Sequence, residues 1–472
     1  MKHRFAPGRR VVCVALLCLA LVPLGLFASS SFVFEETGLL TTARAYHCAT
    51  LLPDGRVLAA GGNTSLAVTA SAELYDPATG VWTPTGTMSQ ARYRHTGTLL
   101  PNGLVLVIGG LDDGDGLTST ELYDPATGNF RTTGALVVGT SSHTATVLAD
   151  GRVLVTGGGG STVNSTIAAA QIYDPATEVW TRIGDMLAAR FRHAATLLPN
   201  GLVLVSGGNG PSGVLASAEL CDPTTGTWTP TGDMSFARFR HTQTLLADGR
   251  VLVAAGMNAN VNVTASAEIY DPATGVWTTT GFLNVARAQH TATLMPNGLV
   301  AVVGGFHGPT PTTELYDPSV GTWSLSSDML QGRSAHQTVL LPSGQILVVG
   351  GFNGDPPSEA PYNPEFDHHS LKETEIGTLQ EIPPPPIITR QPTNRRVNVG
   401  AMATFRVAAT GAPPLTYQWT KNGAEIPGAV SASYTTPPVT AEDNGSLFAV
   451  SVTNPGGSTT SRSATLLVRS FL

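Results

Sequence analysis

The chain is short of charge. Only 12% of its 472 residues are Asp, Glu, Lys or Arg while 42% are hydrophobic, which argues against a disordered polyelectrolyte. Its 26 basic residues are outnumbered by 33 acidic ones, for a net charge of -7. That balance lacks the basic stripe a nucleic-acid partner requires. Cysteine is scarce as well: there are four, and Cys13 and Cys18 fall within the first 30 residues. An exported domain that relied on disulfides would carry more than the remaining Cys48 and Cys221, which read as small buried apolar residues.

The apolar run at residues 11–27 is 17 residues long, a little short of the roughly 20 that span a bilayer. Lys2, Arg4, Arg9 and Arg10 precede it and small residues follow it at 28–30, the form of a secretory signal peptide over residues 1–30. Export is expected, with no stable membrane insertion once the segment is cleaved; an uncleaved anchor is the alternative.

Glycine (52) and proline (33) are plentiful and evenly spread, which points to many short strands joined by turns. Self-comparison finds the period. His47, His95, His143, His193, His241, His290 and His336 are spaced by 48, 48, 50, 48, 49 and 46 residues, so there are seven repeats. In the second, Arg92-Tyr93-Arg94-His95 leads into Thr98-Leu-Leu-Pro-Asn-Gly103, then an apolar run ending in Gly109-Gly110, then Glu121-Leu-Tyr-Asp-Pro125 and Phe130. Asn-Gly or Asp-Gly between two apolar runs is a strong hairpin signal, because these residues tolerate positive φ. Each repeat therefore reads as four strands.

Trp82, Trp180, Trp228, Trp277 and Trp323 share the slot of Phe130, and a slot filled in nearly every repeat is expected to pack one repeat on the next. Arg44, Arg92, Arg190, Arg238, Arg287 and Arg333 precede their histidines by three, while Glu73, Glu121, Glu219, Glu268 and Glu314 recur in strand three. In the third repeat both change together, to Thr140 and Gln171. That paired loss predicts a buried charge-assisted hydrogen bond within each repeat. The seventh repeat, read with Tyr362-Asn-Pro364 in strand three, puts Ala360 at the glutamate position and His369 at the tryptophan position, so its fourth strand is missing. Phe34, Gly38 and Arg44 have the spacing of Trp82, Gly86 and Arg92, so the first mature strand is expected to close the ring. Residues around Ile376-Gly377 compete for that place.

Units of about 50 residues with four strands, Gly-Gly and a later Tyr and Trp resemble the kelch repeat. The resemblance implies an all-β fold: a seven-bladed β-propeller over residues 31–380, a Pro-rich linker at 381–386 and a further domain at 387–472. In that last domain Trp419 lies twelve residues after Val407, and Asp443-Asn-Gly445 precedes Phe448 and Val450. This resembles a bacterial immunoglobulin-like β-sandwich, with Val407 and Val450 where the family often has its cysteines and Phe448 near its corner tyrosine.

In a propeller the strand 2–3 loops and the blade-to-blade connections share one face, and the 2–3 loops vary most here. Variable loops on a uniform scaffold are where binding resides. The position before each histidine also varies: Arg94, Arg192 and Arg240 in three blades, preceded by Tyr93, Phe191 and Phe239, against Tyr46, Ser142, Gln289 and Ala335. Arg beside aromatics suits sugar rings and anionic groups, so these six residues are the ligand-binding candidates. The histidines read as hydrogen-bonded framework, and Asp112-Asp113-Gly-Asp115 lacks the bidentate Glu of a calcium loop.

Kelch propellers with a C-terminal sandwich also resemble galactose oxidase, which implies Tyr and His copper ligands, one His from the sandwich, and a Tyr crosslinked to Cys. Residues 387–472 contain no His, Cys221 occupies a strand-three Tyr position, and Cys48 has no identified partner, so no copper ligand carries over. No cofactor is expected. The sequence thus predicts a secreted, non-enzymatic recognition or adhesion protein that binds a glycan or protein through its variable face. The alternative is an exported carbohydrate-active or galactose-oxidase-like enzyme on the same scaffold.

Overall fold

The computed structural model describes residues 29–112, 116–160, 165–306, 310–353 and 369–469. The N-terminal apolar run lies outside them. Residues 30–380 and 381–472 form separate compact units.

The first unit contains seven four-stranded antiparallel sheets, the blades. In the second blade the strands are Thr96–Leu99, Val105–Ile108, Thr120–Asp124 and Asn129–Thr132, paired in that order. Strand two is buried on both faces, as its unbroken Val-Leu-Val-Ile run requires when a sheet is covered on each side by a neighbour. Gly109 (φ 56°) and Gly110 (φ 102°) then turn the chain. A Cβ on Gly110 would lie 2.8 Å from His95 Cβ, and one on Gly109 would lie 2.5 Å from the Thr140 carbonyl, so no other residue fits without displacement.

The tryptophans reach across blades. Trp82 Nε1 donates to Thr374 Oγ1 of the seventh blade (3.2 Å), and Trp277 and Trp323 donate to the carbonyls of Gly232 and Gly281, each at 2.8 Å. Within the blade each ring packs on the strand-three tyrosine, as Trp82 does on Tyr75 at 5.1 Å. In the fourth blade Cys221 takes that tyrosine slot opposite Trp228; like Cys48, it is a buried free thiol.

Each arginine of the repeat is fully buried and paired with a buried glutamate of its own blade: Arg44–Glu73 at 2.7 Å, Arg92–Glu121 at 2.9 Å, Arg238–Glu268 at 2.9 Å. The third blade does the same work without charge. Thr140 Oγ1 donates to the Gly157 carbonyl (2.7 Å), and Gln171 exchanges two hydrogen bonds with the Val138 backbone. Removing one partner of a buried pair strands the other, at a cost of about 3–5 kcal/mol. Glu268→Ala should therefore lower the melting temperature sharply, whereas Arg238→Thr with Glu268→Gln, copying the third blade, should cost much less. A double variant that melts as low as Glu268→Ala would refute the pairing argument.

The seventh blade corrects the sequence reading. Its third strand is Thr374–Ile382, not the segment around Tyr362, and Glu375 rather than Ala360 holds the glutamate position against Arg333. The connection from strand two is much longer here than in other blades, so counting forward from Gly350-Gly351 stops short. Residues 354–368, with Tyr362 and Ala360, lie outside the described residues. His369 does not stand opposite a strand-three tyrosine; His369–Ser370 pairs with Phe352–Asn353. Ile376 and Gly377, the competitors for strand four, belong to strand three. Strand four is Ser29–Glu36 from the chain's start. Gly377 stands at the tyrosine position, where a Cβ would meet Phe34 Cε1 at 2.7 Å and Phe32 Cδ1 at 3.1 Å, so its bareness makes room for both rings.

The second unit is a β-sandwich around fully buried Trp419, whose Nε1 donates to the Ser431 carbonyl (2.9 Å). Phe405 stacks on Phe448 at 4.5 Å, and Trp419 stands opposite Val450 in the strand register. Val407 and Val450, at the positions where the family often has its cysteines, are both buried in the core around Trp419.

Candidate functional site

The connection entering each blade runs inward past the buried arginine. The next residue exchanges backbone hydrogen bonds with the first residue of the strand 2–3 loop: Tyr93 with Leu111, Phe191 with Asn209, Phe239 with Met257. This sets the variable loops and the connections on one face. The following residue, the one before the histidine, is left-handed in all seven blades, with φ of 50–56° at Tyr46, Arg94, Ser142, Arg192, Arg240, Gln289 and Ala335.

A non-glycine residue adopts that conformation at some energetic cost, and the structure shows what offsets it. Each N–H donates to the carbonyl of the same position in the preceding blade: Arg94 to Tyr46, Ser142 to Arg94, Arg192 to Ser142, and so on to Ala335 and back to Tyr46, at 2.9–3.2 Å. Seven hydrogen bonds form a closed collar at the mouth of the central channel. The sequence hid it, because backbone bonds place no demand on residue type.

The collar's side chains are what differ. The Arg94 guanidinium lies 4.8 Å over the Tyr46 ring and 5.5 Å from that of Tyr93; Arg192 lies 5.0 Å from Phe191 and Arg240 5.9 Å from Phe239. Tyr46 packs edge-on against Phe352 at 5.5 Å and reaches past small Ala335 to Gln289. A guanidinium can only donate, so the Gln289 amide oxygen must face Arg240, accepting from Nε at 3.1 Å and from Nη1, and its NH₂ then donates to Tyr46 Oη at 3.1 Å. Burial alone would raise the Tyr46 phenol, but the positive charges of Arg240, Arg94 and Arg192 outweigh it and hold its pKa below the ordinary tyrosine value. The structure thus links Arg94 and Arg240 through two residues, Tyr46 and Gln289, that sequence reasoning passed over, with the charge of Arg192 also acting on Tyr46. Their one signal was that Tyr46 is the only aromatic residue at a collar position.

A cavity of about 420 Å³ opens at the collar, lined by Tyr46, Arg240, Gln289 and Ala335 together with His241, His290 and His336. All seven repeat histidines are buried. Five bond through Nε2 to a Ser or Thr hydroxyl of the preceding blade, as His143 does to Thr96 (3.0 Å) and His290 to Thr242 (2.9 Å). Burial pushes them down, to about 3 for His95, His193 and His336 and about 4 for His143. Among the described residues, no three His, Cys, Asp or Glu come together as metal ligands. The collar's guanidiniums repel a cation, so the residues present do not fit a copper centre. Asp112 accepts from Gln90 at 3.2 Å, while residues 113–115 of the calcium-loop candidate lie outside the described residues.

Comparison with known proteins agrees with this architecture. The KLHDC2/KLHL20/DRC7 Kelch-repeats domain matches residues 95–305, the Kelch motif residues 44–89 and an immunoglobulin domain residues 385–454. A stretch of 75 residues, 15% of this chain, is 44% identical to the Decoration protein of Escherichia phage T5 and spans 45% of it. A stretch of 96 residues, 20% of this chain, is 32% identical to Endoglucanase C of Cellulomonas fimi and spans 9% of it. The chain thus covers less than half the length of either curated relative. Among solved structures, a fungal alcohol oxidase of the AA5 family in complex with copper superposes with a TM-score of 0.57 at 15% identity, over 93% of this chain and 100% of that one. These findings correct the expectation of a non-enzymatic protein: the scaffold is one that carries an oxidase, and one segment is shared with a glucanase. Among the described residues no helix is long and apolar enough to cross a membrane.

Proposed function

This chain joins a kelch-repeat β-propeller to a C-terminal immunoglobulin-like domain, and we propose that it is an exported carbohydrate-active protein whose collar takes a sugar bearing a carboxylate. The observation that carries this reading is the meeting of Arg94 and Arg240 at Tyr46 and Gln289, with the charge of Arg192 also acting on Tyr46. No collar position holds an acidic residue. A guanidinium fork matches a carboxylate in plane and charge. On a chain of net charge -7, a local cluster of three cations also focuses anions on one point. The segment shared with an endoglucanase supports a polysaccharide as the ligand class.

The test is calorimetric titration with oligogalacturonate and with a neutral oligosaccharide of equal length. Binding of the acidic sugar alone is expected. The triple variant Arg94→Ala, Arg192→Ala, Arg240→Ala should bind at least tenfold more weakly, about 1.4 kcal/mol. Its melting temperature should hardly change, because Ala335 already occupies a collar position in the same backbone conformation (φ 51°). A triple variant that binds as the parent does would place the site elsewhere.

A further inference from the structure

We propose that Tyr46 is the base of an eliminative cleavage, removing the C5 proton of a 4-linked uronate whose carboxylate sits among Arg94, Arg192 and Arg240. The inference rests on the collar being a carboxylate site and adds the reaction.

The chemistry follows from what the collar offers and lacks. Hydrolysis of a glycosidic bond commonly needs two carboxyl groups, an acid and a base or nucleophile, and no collar position supplies one. Guanidiniums do what elimination requires. They neutralise the uronate carboxylate and stabilise the charge that develops on it as the neighbouring C–H bond breaks. The remaining group is the phenol, which accepts from the Gln289 amide while Arg94 lies over its ring. In the step, the C5–H bond breaks and its electron pair forms the C4=C5 double bond. The C4–O4 bond breaks with its pair going to O4, and the proton held by Tyr46 passes to O4. Atoms and electrons balance, no further reactant is consumed, and the tyrosine ends as it began.

A pH dependence follows. Among the described residues, the charged and titratable groups acting on Tyr46 are Arg94, Arg192, Arg240 and, ring to ring at 6.5 Å, Tyr93; Gln289 and Phe352 carry no charge. The charges of Arg240, Arg94 and Arg192 hold the phenol below the ordinary tyrosine value, so the rate should rise with pH along a limb that ends below that value.

The experiment incubates the mature chain with polygalacturonate and with alginate and follows the ultraviolet absorbance of the unsaturated uronate. The parent should generate it. Tyr46→Phe, which keeps the ring against Phe352, should slow it by roughly 10²–10⁴-fold at saturating polymer, with the melting temperature held near the parent's. Parent protein that binds the uronate but forms no double bond, or a Tyr46→Phe variant as fast as the parent, overturns the catalytic assignment and leaves the binding site standing. Absence of binding to either polymer overturns both.

Discussion

At pH 5 the propeller is expected to melt far below its temperature at pH 7, and the cause is the ring of seven histidines. Each is buried away from water, which disfavours the charged imidazolium. Burial therefore holds all seven below the ordinary histidine value, to about 3 or 4 in the four blades of His95, His143, His193 and His336. Below about pH 6.5 the unfolded chain takes up a proton at each histidine that the folded channel refuses. The resulting stability is complete above that pH and is lost as pH falls toward the folded values. Each refused proton weakens the fold by about 1.4 kcal/mol per pH unit. Seven acting together would consume a usual margin of about 5–15 kcal/mol within roughly two units. The carboxylates act lower. Burial raises Glu73, but its bonds from Thr41, Arg44 and Thr42 outweigh this and keep it below the usual glutamate value, so its contribution fades only under about pH 4.5. Circular-dichroism melting from pH 7 to pH 4 is the measurement. A melting temperature that stays level from pH 6.5 to pH 5 would mean that the channel accommodates imidazolium.

What the sequence made legible was whatever side chains had to repeat. The histidine period marked the blades, and the joint change to Thr140 and Gln171 marked the arginine–glutamate pair, because a lone buried charge is not tolerated. The seventh blade was misread where side chains stopped repeating. Gly377 stands where five other blades have tyrosine and the fourth has Cys221, since Phe32 and Phe34 from the chain's start fill that volume, and a glycine carries no mark of the slot it vacates. The collar was invisible for a different reason. Its seven hydrogen bonds are backbone to backbone, so Tyr46, Arg94, Ser142, Gln289 and Ala335 occupy equivalent positions with nothing in common but φ. Arg94, Arg192 and Arg240 could be singled out one by one. That Arg94 and Arg240 meet at Tyr46 and Gln289 follows only from ring closure, which brings the first blade within reach of the fifth and sixth.

The largest mechanical consequence lies at that closure. A chain expressed from residue 37, without the strand Ser29–Glu36, is expected to aggregate or to melt much lower than the mature protein. The strand is the fourth of the seventh blade, so its loss exposes Thr374–Ile382 as a free edge able to pair with other chains. It also removes Phe32 and Phe34, which pack with Met295, Val303, Leu315 and Met329 of the sixth repeat and with Ile346 and Val348 of the seventh. Polar ties go with them: Phe32 N donates to Ser326 Oγ at 2.8 Å, and Ser31 Oγ accepts from Ser327 N at 3.0 Å. Truncating one buried phenylalanine costs about 3–5 kcal/mol, so Phe34→Ala should already melt visibly lower, and Phe32→Ala with Phe34→Ala lower still. The two substitutions should not simply add, because the rings touch at 5.4 Å and share one slot. The damage should extend to the collar: Tyr46 of the first blade bonds to Ala335 of the seventh, so a ring that opens there loses the link on which the site depends. Oligouronate affinity should therefore fall in the truncated chain even in the fraction that stays monomeric. Size-exclusion chromatography with thermal melting decides the matter, and a truncated chain that is monomeric with an unchanged melting temperature would show that the first strand does not hold the ring shut.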